Sequence, residues 1–479
     1  MEPEIKRARV NSPAEIVPEV DVEAEEVEVD VRKLVKQLEK SVNNNLKLRA
    51  KHADQPENFV DSEVDLDECI LNLSTLAASP QLFPELIRLG TVNTVIGLLA
   101  HENNDICADT VNLLNDLFSQ GEEAEEEGFV MQLAEAFLKS NGPAALSSCL
   151  SRFGEDEDGT RSVYNALSVI ENLLEMKPDI SQGILQQPKL RQFLVNGVKK
   201  DRPHSSIKQY CAELLAMLAQ NDDGCKKLIL SDGGIDTILE CIGDMRKRDP
   251  ESEDERETIL DLFNILCSAM FIDEAKTLLL KAEGIQLMLI LLKRRKWLRS
   301  QCLKLIDFSI NGRKDGCKIF IDAGGLGVVF SFLMKVKGKE RTTVEESLLS
   351  IIVELLRRTD GPDFERAVWK LEENSYEKLW RVTAILAQAA VDLQPYGDLE
   401  YSDRLDNGLY RAQLAAKCIA LVCTKETNKP IASEMLKEVS LELNDVRTNL
   451  EELISNIDDD DEEAKSEKEF AAKLIEAVR

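Results

Sequence analysis

The sequence predicts an all-α protein, an armadillo-type right-handed superhelical solenoid with an N-terminal helical cap and a C-terminal helical domain. Apolar residues recur at the three-and-four spacing of one helix face along most of the chain. Glycines recur at similar intervals between these helical segments. The composition, 43% hydrophobic but only 5% aromatic, is that of a helical protein rich in Leu and Ile. No segment indicates a sheet.

The stretch 226–270 contains one complete repeating unit. A short apolar turn ends at Gly233 and Gly234, and a helix follows with one apolar face. A charged loop breaks that helix, and a longer second helix carries Ile259, Leu262, Phe263 and Leu266 on one face. Two antiparallel helices of this kind cannot bury both apolar faces alone, so they need copies on either side.

Copies of this unit are present before and after it. Their expected corners are Gly90, Gly142, Gly183, Gly234, Gly284 and Gly325, in steps of 41 to 52 residues. Armadillo and HEAT repeats are about 40 to 47 residues long, so the longer steps imply insertions. A glycine at each corner favours armadillo over HEAT, because a sharp bend needs a residue without a Cβ. The alternative, an irregular helical bundle, would not require regular spacing.

The chain begins with an acidic segment at residues 1–30, where Val alternates with Glu or Asp and no apolar period is visible. Such a composition predicts disorder. Within it, Lys6, Arg7 and Arg9 form a basic cluster that is either a nuclear localisation signal or a solvated charge cluster. Two helical patterns at residues 31–79 are in the right place to cap the first repeat.

The armadillo-like repeats are expected at residues 80–358, up to the break at Asp360, Gly361 and Pro362. Helical patterns without glycine corners continue through residues 359–457 and predict a C-terminal helical domain. Residues 458–479 combine a run of six acids with a terminal amphipathic helix. Its apolar face predicts that this last helix docks on the rest of the chain.

The net charge of −29 argues against generic nucleic-acid binding by the whole chain. Residues 278–318 are an exception, with ten basic and three acidic residues. Here a basic patch brackets Trp297 in a loop between two helices, formed by Lys293, Arg294, Arg295, Lys296 and Arg299. Three interpretations stay open: a solvated loop, contact with RNA phosphates, or capture of an acidic segment.

No catalytic, cofactor or metal site is predicted. The three histidines are far apart in sequence and no Cys-x-x-Cys occurs, so a metal site has little support. Gly324, Gly325 and Gly327 precede a helix, but they follow a helical turn instead of the strand that a phosphate-binding loop needs. The cysteines lie mostly in helical apolar runs, as in a reducing cell interior. Without a signal peptide or a long apolar run, we expect a soluble intracellular protein that is not an enzyme and does not bind membranes.

The concave face of the predicted array offers a second candidate site. The last helix of each repeat lines this face, and it carries polar residues that could hold an extended peptide. An Asn side chain can donate to and accept from a peptide backbone at the same time. The candidate groove residues are Asn115, Asn172, Glu175, Asp261 and Asn264. Taken singly, each could also be an ordinary exposed polar residue.

Several segments resemble the beta-catenin-like family of nuclear armadillo proteins, over about residues 31 to 479. They include "NLKLRAKHADQPENFVDSEVDLDECI", "TVIGLLAHENNDI", "QNDDGCKKLILSDGGIDTIL", "AEGIQLMLILLKRRK" and "RLDNGLYRAQLAAKCI". The resemblance implies a spliceosomal protein associated with the nineteen complex and its cell-division-cycle-5-like subunit. It also implies binding of basic localisation-type segments and a tendency to self-associate. The short N-terminal segment and its small basic cluster depart from the family pattern.

We therefore predict a non-enzymatic interaction scaffold in pre-mRNA splicing. A nuclear import adaptor is one alternative, but such adaptors use a repeated Trp-x-x-x-Asn ladder. Here Trp297, Trp369 and Trp380 are followed four residues later by Gln, Glu and Ala. A signalling or adhesion armadillo protein is the other alternative, which location in the nucleus or at the membrane cortex would distinguish.

Overall fold

The computed structural model describes residues 30–118, 124–221, 223–338, 340–397, 399–457 and 462–479. The candidate localisation signal Lys6, Arg7 and Arg9 lies outside these residues, as do residues 458–461 of the acidic run. Within the described residues the chain forms helices and turns without a strand. The all-α prediction is therefore confirmed.

The helices fall into an N-terminal pair, six three-helix units and a C-terminal group. The N-terminal pair is α1 (Val31–Lys51) and α2 (Val60–Ser74). The first two units are α3 (Phe83–Arg88), α4 (Thr91–Leu98) and α5 (Asn104–Phe118), then α6 (Ala124–Lys139), α7 (Gly142–Cys149) and α8 (Glu157–Met176). The middle two are α9 (Ser181–Leu185), α10 (Pro188–Gly197) and α11 (Ser206–Ala219), then α12 (Asp223–Leu230), α13 (Gly234–Asp244) and α14 (Glu253–Ala269). The last two are α15 (Asp273–Lys281), α16 (Gly284–Arg294) and α17 (Arg299–Ile310), then α18 (Lys314–Asp322), α19 (Gly325–Lys335) and α20 (Arg341–Arg358). The C-terminal group is α21 (Gly361–Leu393), α22 (Tyr401–Arg404), α23 (Tyr410–Cys423), α24 (Lys429–Glu438), α25 (Leu443–Ser455) and α26 (Glu462–Val478).

The third helix of each unit packs against the third helix of the next. This stack begins at α2 and continues through α5, α8, α11, α14, α17 and α20. The first and second helices pack behind it, and one continuous apolar core runs from Val31 to Val478. The chain is therefore an armadillo-type solenoid.

Several third helices begin at a side chain that caps their first turn. The Ser252 hydroxyl accepts a hydrogen bond from the backbone N–H of Glu255 at 3.0 Å, and Asp156 accepts one from Gly159 at 2.8 Å. These side chains satisfy backbone N–H groups that have no partner inside the helix. The charged loops before α8 and α14 therefore fix where these two third helices begin.

The glycine corners are present, but for a different reason from the one expected. The left-handed residue before α16 is Glu283, with φ of 58°, and Gly284 is the first residue of the helix. A Cβ at Gly284 would lie 2.6 Å from Cγ of Leu279, and one at Gly325 would lie 2.4 Å from the ring of Phe320. These glycines are thus required by close packing of the first helix on the second.

The assignment of Gly183 as a corner was wrong. Gly183 lies inside α9, and a Cβ there would meet no atom within 4 Å. The corner of this unit comes at Pro188, which begins α10. Proline suits this position because the first residue of a helix has no intrahelical partner for its N–H and its fixed φ is already helical.

The stack of third helices continues past residue 358, because α20 packs directly against α23. The buried carboxylate of Glu345 on α20 is 2.7 Å from Arg341 Nε and 3.6 Å from Arg411 Nη1 on α23. In this arrangement α23 takes the place of a third helix. The long helix α21, which comes before it in the chain, is broken at Glu373–Tyr376, where three consecutive residues have positive φ. A corner without glycine therefore joins a further unit to the array.

The final helix α26 packs on α23 and α25. Its Glu467 pairs with Arg357 and with Lys417, whose Nζ is 2.5 Å away. No single helix of the described chain is long and apolar enough to cross a membrane. The helices α18 and α19 reach that length and apolarity only together, and they are bent by 82°.

Candidate functional site

The third helices present one face to solvent, and this layer forms the candidate groove. All five candidate groove residues lie on third helices. Asn115 is on α5, Asn172 and Glu175 are on α8, and Asp261 and Asn264 are on α14. Their side chains are exposed or half-buried, and Asn264 is hydrogen-bonded to Asp261. Their role in binding stays a prediction.

The structure adds residues that link one third helix to the next along the groove. The carboxyl groups of Asp67 on α2 and Asp109 on α5 lie beside each other. The amide nitrogen of Asn165 on α8 donates to the amide oxygen of Asn112 on α5 at 2.8 Å. Polar side chains therefore contact each other across both the α2–α5 and the α5–α8 boundaries.

Between α8 and α11 the groove contains a pair of tyrosines. The ring centroids of Tyr164 and Tyr210 are 4.7 Å apart, with the rings tilted by 47°. Tyr210 is buried and its hydroxyl donates to the carboxylate of Glu171. Burial and the hydrogen bond to this carboxylate raise the pKa of Tyr210. Tyr164 is 47% exposed, so one aromatic surface is open to solvent beside Glu171.

Between α11 and α14 three carboxylates lie close together, those of Glu213, Glu257 and Asp261. Nε2 of Gln209 donates to Glu213 at 2.9 Å and lies 3.5 Å from Glu257 on the next third helix. Burial, together with the charges of Glu213 and Glu257, raises the pKa of Asp261 to about 6. Among the described residues, no Lys, Arg or His forms an ion pair with these three carboxylates. A cation of a bound partner would supply the missing countercharge.

We call the acidic residues of this face the acidic strip; it runs over α2 and the third helices α5, α8, α11 and α14. Its members are Asp67, Asp109, Glu171, Glu213, Glu257 and Asp261. Burial and the neighbouring Asp67 raise the pKa of Asp109 to about 7. Carboxylates held this close repel each other when ionised, and a Lys or Arg side chain between them would relieve that repulsion.

Sequence reasoning identified only Asp261 of this strip. The third helices range from 12 to 20 residues in length, so the residues that become neighbours are not at a fixed distance from each corner. A signal did exist. Asn112 precedes Asn115 by one helical turn and Asn165 precedes Asn172 by two, on helices already assigned to the groove.

The basic patch lies where expected, between α16 and α17, but its members differ in their surroundings. Nε of Arg295 donates to the backbone carbonyl of Met245 at 2.5 Å, and its Nη1 pairs with Asp249 at 2.9 Å. The guanidinium of Arg299 lies over the ring of Phe332 at 4.8 Å. These two side chains therefore hold neighbouring units together. The exposed members are Lys293, Arg294 and Lys296.

Trp297 is also part of the loop's structure. Its ring nitrogen donates to Asp249 at 3.1 Å, and the guanidinium of Arg256 lies 5.4 Å from the ring centroid. The other two tryptophans, Trp369 and Trp380, lie on α21. None of the three is on α2 or on the third helices α5, α8, α11, α14, α17 and α20, where a tryptophan ladder would have to be.

A cleft of about 970 Å³ lies between α1 and α4, away from the acidic strip. Its polar residues pair with each other. The amide oxygen of Asn45 is 3.1 Å from Nε2 of His101, and Arg49 pairs with Glu63. Burial is the main cause that lowers the pKa of His101. The cleft therefore lies at the joint between the cap and the first unit.

Comparison with known proteins gives close agreement with this architecture. Residues 14–451 match the model of a family described as catenin-beta-like, Arm-motif containing, nuclear. Beta-catenin-like protein 1 of Mus musculus is 32% identical over 427 residues, 83% of this chain and 76% of the relative. The beta-catenin-like protein 1 homolog of Schizosaccharomyces pombe is 29% identical over 452 residues, 90% of this chain and 79% of the relative.

Solved structures agree in fold. A chain from a study of the interaction between cadherin and beta-catenin superposes with a TM-score of 0.58 at 12% identity, covering 93% of this chain and 99% of that one. An engineered protein superposes with a TM-score of 0.52 at 14% identity, covering 94% and 99%. At such identities the likeness concerns the fold alone.

Proposed function

Because the chain belongs to the catenin-beta-like family of nuclear armadillo proteins, we propose that it is a non-enzymatic interaction scaffold of the spliceosome. In this role it holds Lys- and Arg-rich, localisation-type segments of partner proteins in its groove. The expected partners are proteins of the nineteen complex, including a cell-division-cycle-5-like protein. The proposed location is the nucleus, in keeping with the description of the family.

The acidic strip is the observation that carries this proposal. Glu213, Glu257 and Asp261 converge on one side of the third-helix layer and have no ion-pair partner among the described residues. Asp109 and Asp261 have raised pKa values because they are partly buried beside other carboxylates. A binding site for cations is expected to carry such unneutralised charge before its ligand arrives.

The geometry of the groove also fits an extended segment. Half-buried amides at Asn112, Asn165 and Gln209 alternate with the carboxylates along the strip. Amides can pair with a peptide backbone while carboxylates pair with its side chains. Binding of this kind needs no preformed structure in the partner, which suits disordered basic segments.

The import-adaptor alternative has no comparable support. Its Trp-x-x-x-Asn ladder is missing from the sequence, and the three tryptophans lie off the third helices that form the groove. Self-association and RNA contact through Lys293, Arg294 and Lys296 stay predictions.

The proposal is tested by purification from nuclear extract. The wild-type chain should co-purify with nineteen-complex proteins, and the variant Glu213→Gln, Glu257→Gln, Asp261→Asn should lose them while keeping its melting temperature. Equal recovery of splicing proteins with both chains would rule out the strip as the binding surface. Recovery of no splicing protein by the wild type would rule out the spliceosomal role.

A further inference from the structure

On α17 the exposed charged residue is a cation, although the largely buried Asp307 lies one turn further along the same helix. The third helices before it, α11 and α14, present Glu213, Glu257 and Asp261 to solvent, whereas α17 presents the exposed Lys304. The ammonium of Lys304 lies 5.6 Å from the ring centroid of Phe308, one turn further along the same helix. No acidic residue of the described chain forms an ion pair with Lys304. A lysine without an ion-pair partner therefore lies on the third helix that packs against α14, where the acidic strip ends.

An exposed aromatic pair adjoins this lysine. Phe271, which follows α14, is 72% exposed, and its ring centroid is 5.5 Å from that of Phe308. Lys226, held by Asp223 at 3.1 Å, lies 5.9 Å from the Phe271 ring on another side. A large apolar side chain this exposed, packed on a second ring, is typical of a surface that a partner covers.

The distance between neighbouring third helices predicts how far apart the contacting residues of a bound segment are. Neighbouring packed helices lie about 8 to 10 Å apart, and an extended chain advances about 3.3 Å per residue. A bound segment that crosses the third helices therefore advances about three residues from one helix to the next. Cations opposite Glu213 and Asp261 would be about three residues apart, and the residue opposite Lys304 would come about three residues further on.

We propose that the groove recognises segments of mixed charge, in which spaced basic residues are adjoined, about three residues on, by an acidic residue and a large apolar side chain. Lys304 pairs with the acidic residue, and the Phe271–Phe308 pair covers the apolar one. This inference rests on the proposed function, since it describes a further part of the same groove. It predicts that a purely basic segment leaves Lys304 and the Phe271–Phe308 pair without a contact.

The overall charge of the chain makes this inference easy to test. At a net charge of −29, an acidic residue added to a basic peptide should weaken binding if the peptide meets only the average field of the protein. A gain in affinity on adding that residue therefore requires a local cation. The same reasoning excludes nonspecific attraction as the cause of such a gain.

The experiment measures fluorescence anisotropy of labelled peptides on the full chain. One peptide carries only spaced Lys and Arg residues; a second adds a Glu and a Leu after them, and a third adds the same two residues before them. The mixed peptide in one of the two orders should bind about three- to ten-fold tighter than the basic peptide. Both mixed peptides binding no tighter than the basic one would overturn the inference.

Variants assign the gain to the proposed contacts. Lys304→Glu should abolish the part of the gain that comes from the added Glu, and a peptide with Lys in place of that Glu should recover it on this variant. Lys281→Glu is the matched control, because Lys281 is an exposed lysine on the first helix α15 and its change alters net charge equally. Phe271→Ser should remove the contribution of the Leu alone. An equal loss with Lys281→Glu would contradict a local contact.

The outcome separates this inference from the proposed function. If the basic peptide fails to bind the wild-type chain, the proposed function itself fails. If the basic peptide binds but gains nothing from the added Glu and Leu, the acidic strip stands and the role of Lys304 fails. A third outcome is that the mixed peptides show no gain, whereas single-stranded RNA binds and Phe271→Ser weakens that binding. This result would assign the aromatic pair to RNA and would also overturn the inference.

Discussion

Asp109 on α5 lies beside Asp67 on α2, and the charge of Asp67 opposes ionisation of the Asp109 carboxyl group. The contact joins the N-terminal cap to the first unit and begins the acidic strip. Burial and the neighbouring Asp67 together raise the pKa of Asp109 to about 7. The groove is therefore partly protonated near neutral pH, and both its stability and its affinity for cations should depend on pH.

The first prediction concerns stability. The pKa of Asp109 is about 7 in the folded chain and about 3.9 in an unfolded one. Between these values the folded state holds a proton that the unfolded state has lost, so this residue's contribution to stability falls as pH rises toward 7. Asp109→Asn removes the effect and should raise the melting temperature more at pH 8 than at pH 5. An equal change at both pH values would contradict the raised pKa.

The second prediction concerns the pH dependence of binding. A bound cation favours the ionised forms of Asp109 and Asp261, whose pKa values are about 7 and about 6. The affinity for an Arg-rich peptide should therefore fall several-fold from pH 8 to pH 5.5, while the peptide keeps its charge. The control chain Asp109→Asn, Asp261→Asn should bind more weakly at pH 8 and vary much less with pH. A wild-type affinity that is constant over this range would contradict the role of both residues.

A third prediction tests the corner between α15 and α16. A side chain at Gly284 would overlap Leu279, so Gly284→Val should lower the free energy of unfolding by more than about 1 kcal/mol. Glu283→Gly is the matched control. Its φ of 58° suits glycine, so this variant should be neutral or more stable. The measurement is the denaturant midpoint, and an unchanged midpoint for Gly284→Val would show that the corner has room.

These corners also show how much the sequence could predict. Gly284 and Gly325 mark real corners because a close approach leaves no alternative residue, so their spacing predicted the array. Gly183 misled because it lies inside a helix, and Pro188 makes that corner instead. The corner at Glu373–Tyr376 contains no glycine, although Asn374, Ser375 and Tyr376 have positive φ. Pro188 carried a local signal, since proline favours the first position of a helix, whereas the corner at Glu373–Tyr376 carries no glycine or proline to mark it.

The groove was harder to predict for a related reason. Asp261 was identified, whereas Asp67 and Asp109 were not, because their proximity depends on how α2 and α5 align side by side. In the basic patch the residues were identified correctly, but the sequence did not show which of them are structural. Five charged residues in one loop look alike in sequence, yet Arg295 is bonded to Met245 and is part of the packing. Only a side chain's neighbours distinguish a structural charge from an exposed one.

A fourth prediction concerns entry into the nucleus. If Lys6, Arg7 and Arg9 form the localisation signal, replacing all three with Ala should leave the chain in the cytoplasm. The melting temperature should not change, because surface substitutions usually cost less than about 0.5 kcal/mol. Fluorescence microscopy of a tagged chain measures the distribution. Normal nuclear accumulation would refute this signal and direct attention to Lys293 and its neighbours or to entry with a partner.

The most direct test of the central claim is a titration of a labelled Lys- and Arg-rich peptide against two variants of equal charge. One variant neutralises the strip with Glu213→Gln, Glu257→Gln and Asp261→Asn. The other neutralises three acids on first and second helices, Glu127→Gln, Asp236→Asn and Glu240→Gln. Binding through the strip predicts a loss of at least ten-fold in the first variant and little change in the second. Equal affinities for the two variants would contradict the assignment of the acidic strip as the binding site.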